Sequence, residues 1–221
     1  MDFEKARFNM VEQQIRPWDV LDFKLLDILQ ELPREDFVEE AQRAYAYADM
    51  NLRLPNKSYM LEPKIIARLI QALKIQENDR VLEIGTGGGY ATAILAKSAH
   101  EVITFDIDGE QSARAAGVLQ KLNINNVSYR VADGFQAAVS ENTEYNAVYI
   151  GGGVNDVPEG LCQKLAVGGR LAVIAGEAPV QRALLITRTD DGTFTRKPLF
   201  ETRVPNLIQG EKSLGRETFV F

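Results

Sequence analysis

One segment, VLEIGTGGGY at Val81–Tyr90, constrains the fold of this chain more than any other. An apolar strand runs directly into a cluster of glycines, and a helix is predicted immediately afterwards over Ala91–Lys97. Glycines let a chain turn tightly, and they let its backbone approach a ligand without an intervening Cβ atom. The segment therefore predicts the first strand–loop–helix unit of an α/β protein, with a ligand site at the loop.

Short apolar runs recur after the glycine loop roughly every 20 to 25 residues, with helical segments between them. Five strands are predicted, at Val81–Ile84, Val102–Phe105, Val127–Val131, Ala147–Ile150 and Leu171–Ala175. Ala183–Thr189 and Thr193–Arg203 then predict a hairpin, because Asp191-Gly192 between them is a strong turn signal. The pattern predicts a doubly wound, mostly parallel sheet that ends in a C-terminal antiparallel hairpin.

The first part of the chain follows a different pattern. Residues 8–30 carry apolar side chains at helical spacing interrupted at Arg16-Pro17, which predicts two short helices with a break before Pro17. Residues 51–63 predict an irregular loop, and Pro63 suits the first turn of another helix. We therefore expect an N-terminal helical extension with a loop, residues 1–78, that forms one structural unit with a ligand-binding domain, residues 79–221.

Acidic residues at the ends of the later strands are placed to bind a nucleoside. Asp106 stands 21 residues after Gly85, where a carboxylate can accept hydrogen bonds from both hydroxyls of a ribose. Asp133 follows the third strand at the same sheet edge, so it is expected to meet an adenine amino group or to cap a helix. Gly151–Gly153, after the fourth strand, is expected to line the pocket or to form a plain loop. The predicted cofactor-binding residues are Glu83, Gly85, Thr86, Gly87, Gly89, Asp106, Ile107, Asp133 and Gly134.

Two cofactor classes use this arrangement, nicotinamide dinucleotides and S-adenosylmethionine. A dinucleotide loop usually has a glycine or alanine where this chain has Tyr90, whose side chain would obstruct close packing of helix on strand. Methyltransferase loops characteristically carry an acidic residue two positions before the first glycine, which is Glu83 here. These features and the terminal hairpin favour S-adenosylmethionine over NAD and over a ligand-free glycine turn. They predict a Rossmann-like S-adenosylmethionine-dependent methyltransferase fold.

The composition narrows the classes of partner. The 221 residues carry a formal net charge of −6, which gives no general attraction to nucleic-acid phosphates or anionic lipid. No apolar run approaches the roughly 20 residues needed to span a bilayer, and the N-terminus lacks the apolar region of a signal peptide. Cys162 is the single cysteine, and no His/Cys cluster has metal-ligand spacing. We expect a cytoplasmic protein that binds neither nucleic acid, membrane nor metal.

Several segments along nearly the whole chain resemble bacterial protein-L-isoaspartate O-methyltransferases. The similar segments are Met10-Val11, LPREDFV at 32–38, AYAD at 46–49, Val81–Tyr90, Ala132-Asp133-Gly134, Gly168–Leu171 and Arg203-Val204-Pro205. The resemblance implies an enzyme that uses S-adenosylmethionine to methylate the free carboxylate of isoaspartyl residues in damaged proteins. Because a carboxylate is already ionised at pH 7, such a reaction needs no general base and rests on alignment of the reacting atoms.

One position departs from that family's pattern. The family carries its active-site serine two residues before a proline, and alignment on Pro63 places Leu61 at that position. A leucine side chain cannot donate a hydrogen bond, and Ser58, three residues away, could replace the serine only if the loop follows a different path. The predicted substrate loop therefore comprises Ser58, Tyr59 and Leu61, with no catalytic residue assigned and weak methylation of isoaspartyl peptides expected. Another methyl acceptor, or a cofactor-binding homologue with little catalysis, remains an alternative.

Overall fold

The computed structural model describes residues 2–177 and 179–208. The α-helices are α1 (Phe3–Asn9), α2 (Phe23–Glu31), α3 (Pro63–Leu73), α4 (Tyr90–Ser98), α5 (Gly109–Lys121), α6 (Gly134–Ser140) and α7 (Glu159–Cys162). The strands are β1 (Leu52–Arg53), β2 (Tyr59–Met60), β3 (Arg80–Ile84), β4 (Glu101–Asp106), β5 (Val127–Val131), β6 (Tyr145–Val154), β7 (Leu165–Ala175), β8 (Gln181–Arg188) and β9 (Phe194–Thr202). Strands and helices alternate from β3 to β7, as the spacing of the apolar runs predicted.

Seven strands form one sheet in the order β5-β4-β3-β6-β7-β8-β9. The first five in that order are parallel, while β8 pairs antiparallel with both β7 and β9. The chain proceeds from β3 outward to β4 and β5, then crosses to β6 on the other side of β3. Loops on the two sides of such a switch point diverge and leave a crevice at the carboxyl ends of the strands. The predicted Rossmann-like, doubly wound sheet with a C-terminal hairpin is confirmed.

The two predicted N-terminal helical segments are present, but the break between them lies at Asp19 rather than before Pro17. The chain continues after α1 as a π-helix over Met10–Ile15 and a 3-10 turn over Arg16–Trp18. It turns only at Asp19, which adopts a left-handed φ of 61°. Pro17 is tolerated because it lies at the start of a new turn, where its missing N–H group breaks no helical hydrogen bond.

Residues 51–63 are more ordered than the irregular loop that the sequence predicted. β1 and β2 form a small antiparallel hairpin, in which Leu52 pairs with Met60 and Arg53 with Tyr59. The Leu54 N–H group donates to the Ser58 carbonyl at 2.8 Å and closes the turn. Two-residue strands are too short to produce a detectable alternation of apolar and polar residues, which is why the sequence did not indicate this hairpin.

Gly151–Gly153 belongs to β6 rather than to a loop after it. The predicted strand ended at Ile150, but pairing with β7 continues as far as Val154. The register between β6 and β7 shifts between Tyr149 and Gly153, which is typical of a β-bulge. An apolar strand pattern does not extend into glycines, so the sequence placed the end of the strand too early.

The N-terminal extension and the sheet share one hydrophobic core. Leu29 of α2 and Ile66 of α3 are buried in the same cluster as Val81 of β3 and Ala147 of β6. α3 begins at Pro63 as predicted, and its apolar face is buried, with Ile65, Ile66, Leu69, Ile70 and Leu73 each at most 3% exposed. The boundary between residues 1–78 and 79–221 stays a prediction, and residues 209–221 lie outside the described part of the chain.

The described part of the chain contains neither a cluster of metal-binding side chains nor a membrane-spanning helix. No group of three or more His, Cys, Asp or Glu side chains within residues 2–177 and 179–208 is arranged to hold a metal ion. In the same part of the chain, no helix is long and apolar enough to cross a bilayer. Cys162 is buried at the end of α7. Burial raises the pKa of the Cys162 thiol to about 11, so the thiol stays protonated at neutral pH.

Candidate active site

The glycine loop between β3 and α4 turns through three left-handed glycines. Gly85, Gly87 and Gly89 have φ values of 90°, 52° and 86°. The Gly85 N–H group donates to the Phe105 carbonyl of β4 at 2.8 Å, which fixes the start of the loop to the neighbouring strand. At Gly89 a Cβ atom would lie 2.9 Å from the Ala115 Cβ atom, closer than two such atoms approach. The sharp turn and the close packing of α5 both require glycine there.

Asp106 lies at the carboxyl end of β4, beside the glycine loop. One carboxylate oxygen accepts a hydrogen bond from the Gly87 N–H group at 2.9 Å, and the other accepts one from the Asp108 N–H group at 2.9 Å. Burial raises the pKa of Asp106, although these hydrogen bonds lower it. A carboxylate has about four acceptor positions, so Asp106 keeps hydrogen-bonding capacity on the side that lines the cleft described below.

Glu83 lies behind the glycine loop and does not line the cleft. Its Oε2 atom accepts hydrogen bonds from the hydroxyls of Thr92, at 2.6 Å, and Thr104, at 2.7 Å. The Thr104 hydroxyl lies 2.7 Å from the Thr86 hydroxyl, so the chain of contacts reaches the loop itself. Burial raises the pKa of Glu83 to about 8, against the effect of the two threonine hydrogen bonds. Glu83 therefore ties β3, β4 and α4 together beneath the loop.

Asp133 lies at the end of β5 and caps α6. Its carboxylate accepts a hydrogen bond from the Phe135 N–H group at 3.0 Å. Asp133 also lines the cleft, as do Gly134 and Ile107, which follows β4. The two interpretations that the sequence left open, a helix cap and a residue of the ligand site, are therefore compatible at this position.

A cleft of about 400 Å³ lies at the carboxyl ends of the parallel strands. Its walls come from the β1–β2 hairpin, from the ends of β3 to β6 and from the segment after β9. The predicted site residues that line it are Ser58, Tyr59, Leu61, Gly85, Gly87, Asp106, Ile107, Asp133 and Gly134. The structure thus brings six of the nine predicted cofactor residues together with the predicted substrate loop.

A second, smaller cavity of about 30 Å³ opens beside the cleft. Several of the residues that line this cavity do not line the cleft, among them Thr86, Gly89, Tyr90 and Tyr149. The two spaces share Tyr59, Leu61, Gly85, Gly87 and Gly151. Thr86 and Gly89, both predicted cofactor residues, therefore face this smaller space.

The side chain of Leu61 is buried, whereas its carbonyl is held by a charged group. Arg34 Nη2 donates to the Leu61 carbonyl at 2.9 Å, and Arg34 Nε donates to the Ala46 carbonyl at 2.7 Å. The Arg34 guanidinium also lies 4.7 Å from the centre of the Tyr90 ring. Burial lowers the pKa of Arg34 to about 10, so Arg34 remains charged at neutral pH. A buried cation therefore fixes the backbone of the substrate loop.

Ser58 lines the cleft but its hydroxyl is already engaged. The Ser58 hydroxyl donates to Asn56 Oδ1 at 2.5 Å, and the Ser58 N–H group donates to the same atom at 3.0 Å. Lys57, at the tip of the hairpin, adopts a left-handed φ of 67° and also lines the cleft. The hairpin turn is therefore ordered by Asn56, and it presents Lys57 and Ser58 to the cleft.

The segment after β9 forms a wall of the cleft that the sequence did not predict. The Gly153 N–H group donates to the Pro205 carbonyl at 2.9 Å, and the Leu207 N–H group donates to the Gly153 carbonyl at 2.8 Å. A Cβ atom on Gly152 would lie 2.8 Å from the Leu207 side chain, so glycine there permits this close approach.

The sequence also did not identify Arg34 and Tyr149 as residues of the site. A tyrosine within an otherwise apolar strand, just before three glycines, was the available signal for Tyr149.

The comparisons with known proteins agree with this geometry. A family model described as protein-L-isoaspartate(D-aspartate) O-methyltransferase matches residues 6–212. The protein-L-isoaspartate O-methyltransferase of Geobacter metallireducens is 36% identical over 98% of this chain and 100% of that protein. That of Trichlorobacter lovleyi is 37% identical over 94% of this chain and 95% of that protein.

A solved structure shares the whole fold. A Plasmodium falciparum chain, assigned as a beta-aspartate methyltransferase and in complex with S-adenosyl-L-homocysteine, superposes with a TM-score of 0.77. At 19% identity, the match covers 95% of this chain and 100% of that chain. The chain therefore belongs to the protein-L-isoaspartate(D-aspartate) O-methyltransferase family and is an S-adenosylmethionine-dependent methyltransferase, as the sequence predicted.

Proposed function

We propose that this chain transfers methyl groups from S-adenosylmethionine to the free carboxylate of isoaspartyl residues in damaged proteins and peptides. Relatives over nearly its whole length are named for this activity. The observation that carries the proposal is the meeting of two sets of residues in one cleft. The glycine loop with Asp106 forms one side, and the β1–β2 hairpin with Leu61, at the family's serine position, forms the other.

The cleft suits the cofactor in size and in chemistry. Its volume of about 400 Å³ lies within the range of roughly 300–1,000 Å³ that is usual for small-molecule sites. Asp106 would accept hydrogen bonds from the ribose hydroxyls, and Ile107, Asp133 and Gly134 would border the adenine. When bound, S-adenosylmethionine supplies a methyl group carried on a positively charged sulfur.

Glu83 has a positioning role in this proposal. Its carboxyl group holds Thr92 and Thr104, and Thr104 in turn contacts Thr86 of the glycine loop. A loop that is fixed in this way binds its ligand without first having to be ordered. Glu83 therefore acts on the cofactor through the loop.

The acceptor needs no general base from the protein. A carboxylate is ionised at neutral pH, so the chain's residues have to bind it, orient it and exclude water around it. Of the described residues that line the cleft, Lys57 is the one that carries a positive charge. Its ammonium group forms no ion pair with another described residue. Lys57 is therefore available to attract an anionic acceptor to the mouth of the cleft.

A second candidate function keeps the cofactor and changes the acceptor. It is favoured by Leu61, whose side chain lacks the hydroxyl that the family carries at this position. A small-molecule carboxylate, or another site on a protein, would then replace the isoaspartyl residue.

Two peptides that differ only in the linkage of one residue separate these functions. We expect methyl transfer from S-adenosylmethionine to the isoaspartyl peptide, with no transfer to the otherwise identical aspartyl peptide. Equal rates on both peptides, or transfer to neither while S-adenosylhomocysteine still binds, would favour the second candidate.

A further inference from the structure

Tyr149 lies in the part of β6 that passes beneath the site. It is in register with Glu83 of β3, and its side chain is 1% exposed. A Cβ atom on Gly151 would lie 3.6 Å from Tyr149 Cε1, and Gly151 lines both the small cavity and the cleft. The outer half of the Tyr149 ring is therefore close to the place where the two spaces join.

The Tyr149 hydroxyl forms no hydrogen bond with any residue that the structure describes. Buried tyrosine hydroxyls ordinarily have a partner, so this hydroxyl is available to a ligand that enters the cavity. Burial raises the pKa of Tyr149, Glu83 raises it further, and Arg34 lowers it. The hydroxyl therefore keeps its proton at neutral pH and can donate a hydrogen bond to an anion.

Two other tyrosines bury hydroxyls that have no partner among the described residues, but neither is placed in the same way. The Tyr90 ring lies 4.7 Å from the Arg34 guanidinium and 5.4 Å from the Phe37 ring, and its hydroxyl is sealed from solvent. Tyr129 lines neither the cleft nor the small cavity. The Tyr149 ring, by contrast, comes close to Gly151, one of the residues that both spaces share.

The small cavity has the size of a single oxygen-sized group. Its volume of about 30 Å³ exceeds the roughly 10–15 Å³ that a cavity needs to hold one water molecule. Leu61 and Tyr149 line this same cavity. A hydroxyl at position 61 and the hydroxyl of Tyr149 would therefore serve the same space, and in this chain only Tyr149 of the two carries one.

We infer that Tyr149 binds the acceptor: its hydroxyl donates a hydrogen bond to one oxygen of the acceptor carboxylate, in place of the serine that Leu61 replaces. This inference rests on the proposed function, because it assumes that the acceptor is a carboxylate. Tyr149 keeps its proton and forms no covalent bond. It orients the carboxylate and leaves the second oxygen free to receive the methyl group.

Tyr149→Phe tests the inference, because it removes one oxygen atom from a buried ring. We expect kcat/KM for the isoaspartyl peptide to fall about 10- to 100-fold, as is usual for a lost hydrogen bond to a charged group. Calorimetry on the complex with S-adenosylhomocysteine should show weaker binding of the isoaspartyl peptide, with unchanged affinity for S-adenosylhomocysteine. Tyr129→Phe is the matched control, and its kcat/KM should stay within about twofold of wild type, because Tyr129 lines neither the cleft nor the small cavity.

The double variant Leu61→Ser/Tyr149→Phe distinguishes a positioning hydroxyl from a structural one. If both positions serve the same carboxylate oxygen, the serine should restore part of the rate that Tyr149→Phe loses. The inference is overturned if Tyr149→Phe methylates the peptide like wild type, if it loses S-adenosylhomocysteine affinity in parallel, or if Leu61→Ser restores nothing. A wild type that binds S-adenosylhomocysteine but methylates no isoaspartyl peptide would overturn the proposed function, and this inference with it.

Discussion

Arg34 Nη2 donates a hydrogen bond to the carbonyl of Leu61 across 2.9 Å, although the two residues are 27 positions apart. Arg34 is fully buried in the N-terminal extension, whereas Leu61 lines both the cleft and the small cavity. The extension therefore determines the path of the substrate loop through one charged hydrogen bond. The cleft depends on residues that precede the sheet in sequence, because the β1–β2 hairpin forms one of its walls.

Replacement of Arg34 with methionine should destabilise the fold and disorder the loop. Methionine leaves the Ala46 and Leu61 carbonyls without their buried donor, so we expect the free energy of unfolding to fall by about 3 kcal/mol or more. Urea unfolding measures this change. In the control Arg182→Met, the lost ion pair with Glu201 is 63% exposed on both sides, and the expected change is below about 1 kcal/mol. Equal losses in the two variants would contradict the role assigned to Arg34.

Glu83 should make the stability of the fold depend on pH. Because burial raises its pKa to about 8, above that of the unfolded chain, the folded state retains a proton that the unfolded state releases. Its contribution is fully present below about pH 4 and is lost as the pH rises through about 8. Between pH 5 and pH 8 the loss should amount to several kcal/mol, since each unit of pKa shift corresponds to about 1.4 kcal/mol.

The variant Glu83→Gln isolates the contribution of Glu83 to the pH dependence of the unfolding free energy. Glutamine can still accept the hydrogen bonds of Thr92 and Thr104 but does not titrate. The decrease in unfolding free energy from pH 5 to pH 8 should be smaller in Glu83→Gln than in wild type. Parallel pH profiles of the two proteins would show that Glu83 is ionised in the fold throughout this range.

Replacement of glycine by alanine should change the stability in opposite directions at Gly89, in the glycine loop, and at Gly117, in α5. Gly89→Ala should destabilise the protein by about 2 kcal/mol, because its φ of 86° and the Ala115 Cβ atom at 2.9 Å both oppose a side chain. Gly117 lies within α5, and a Cβ atom there would have no neighbour within 4 Å. Gly117→Ala should therefore raise the stability by about 0.5–1 kcal/mol. Thermal unfolding of both variants tests the prediction, which fails if they shift the midpoint in the same direction.

Much of the fold was predictable because buried parallel strands leave short apolar runs in the sequence. The predicted strand at Val81–Ile84 lies within β3, where all four residues are buried, and α3 begins at the predicted Pro63. The β1–β2 hairpin was not predictable in the same way. Its register depends on the Leu54–Ser58 turn and on packing against the glycine loop, and two-residue strands carry no periodicity.

The cofactor side of the candidate site was predictable, because the glycine loop and the acidic residue that follows it belong to one sequence motif. Asp106 lies at the end of β4 with its carboxylate on the Gly87 N–H group, as its spacing from Gly85 suggested. Glu83, also predicted as a cofactor-binding residue, does not line the cleft. Side chains alternate between the two faces of a strand, so a residue near the loop in sequence can point beneath it. Tyr149 and Arg34 were missed because they reach the site through tertiary packing.

Asp106 should contribute more to cofactor affinity than any other side chain that lines the cleft. Asp106→Ala removes the acceptor for the ribose hydroxyls, so we expect about 10- to 100-fold weaker binding of S-adenosylhomocysteine by calorimetry. Asp190→Ala, in the exposed turn between β8 and β9, is the control and should bind like wild type. If Asp106→Ala also binds like wild type, Asp106 does not belong to the site.

The most direct test of carboxyl methylation is the mass of an isoaspartyl peptide after incubation with the protein and S-adenosylmethionine. We expect the gain of one methyl group on the isoaspartyl residue, as an ester that mild alkali removes, and no gain on the matching aspartyl peptide. A peptide of unchanged mass, or a methyl group that resists alkali or lies on another residue, would contradict the proposed carboxyl methylation.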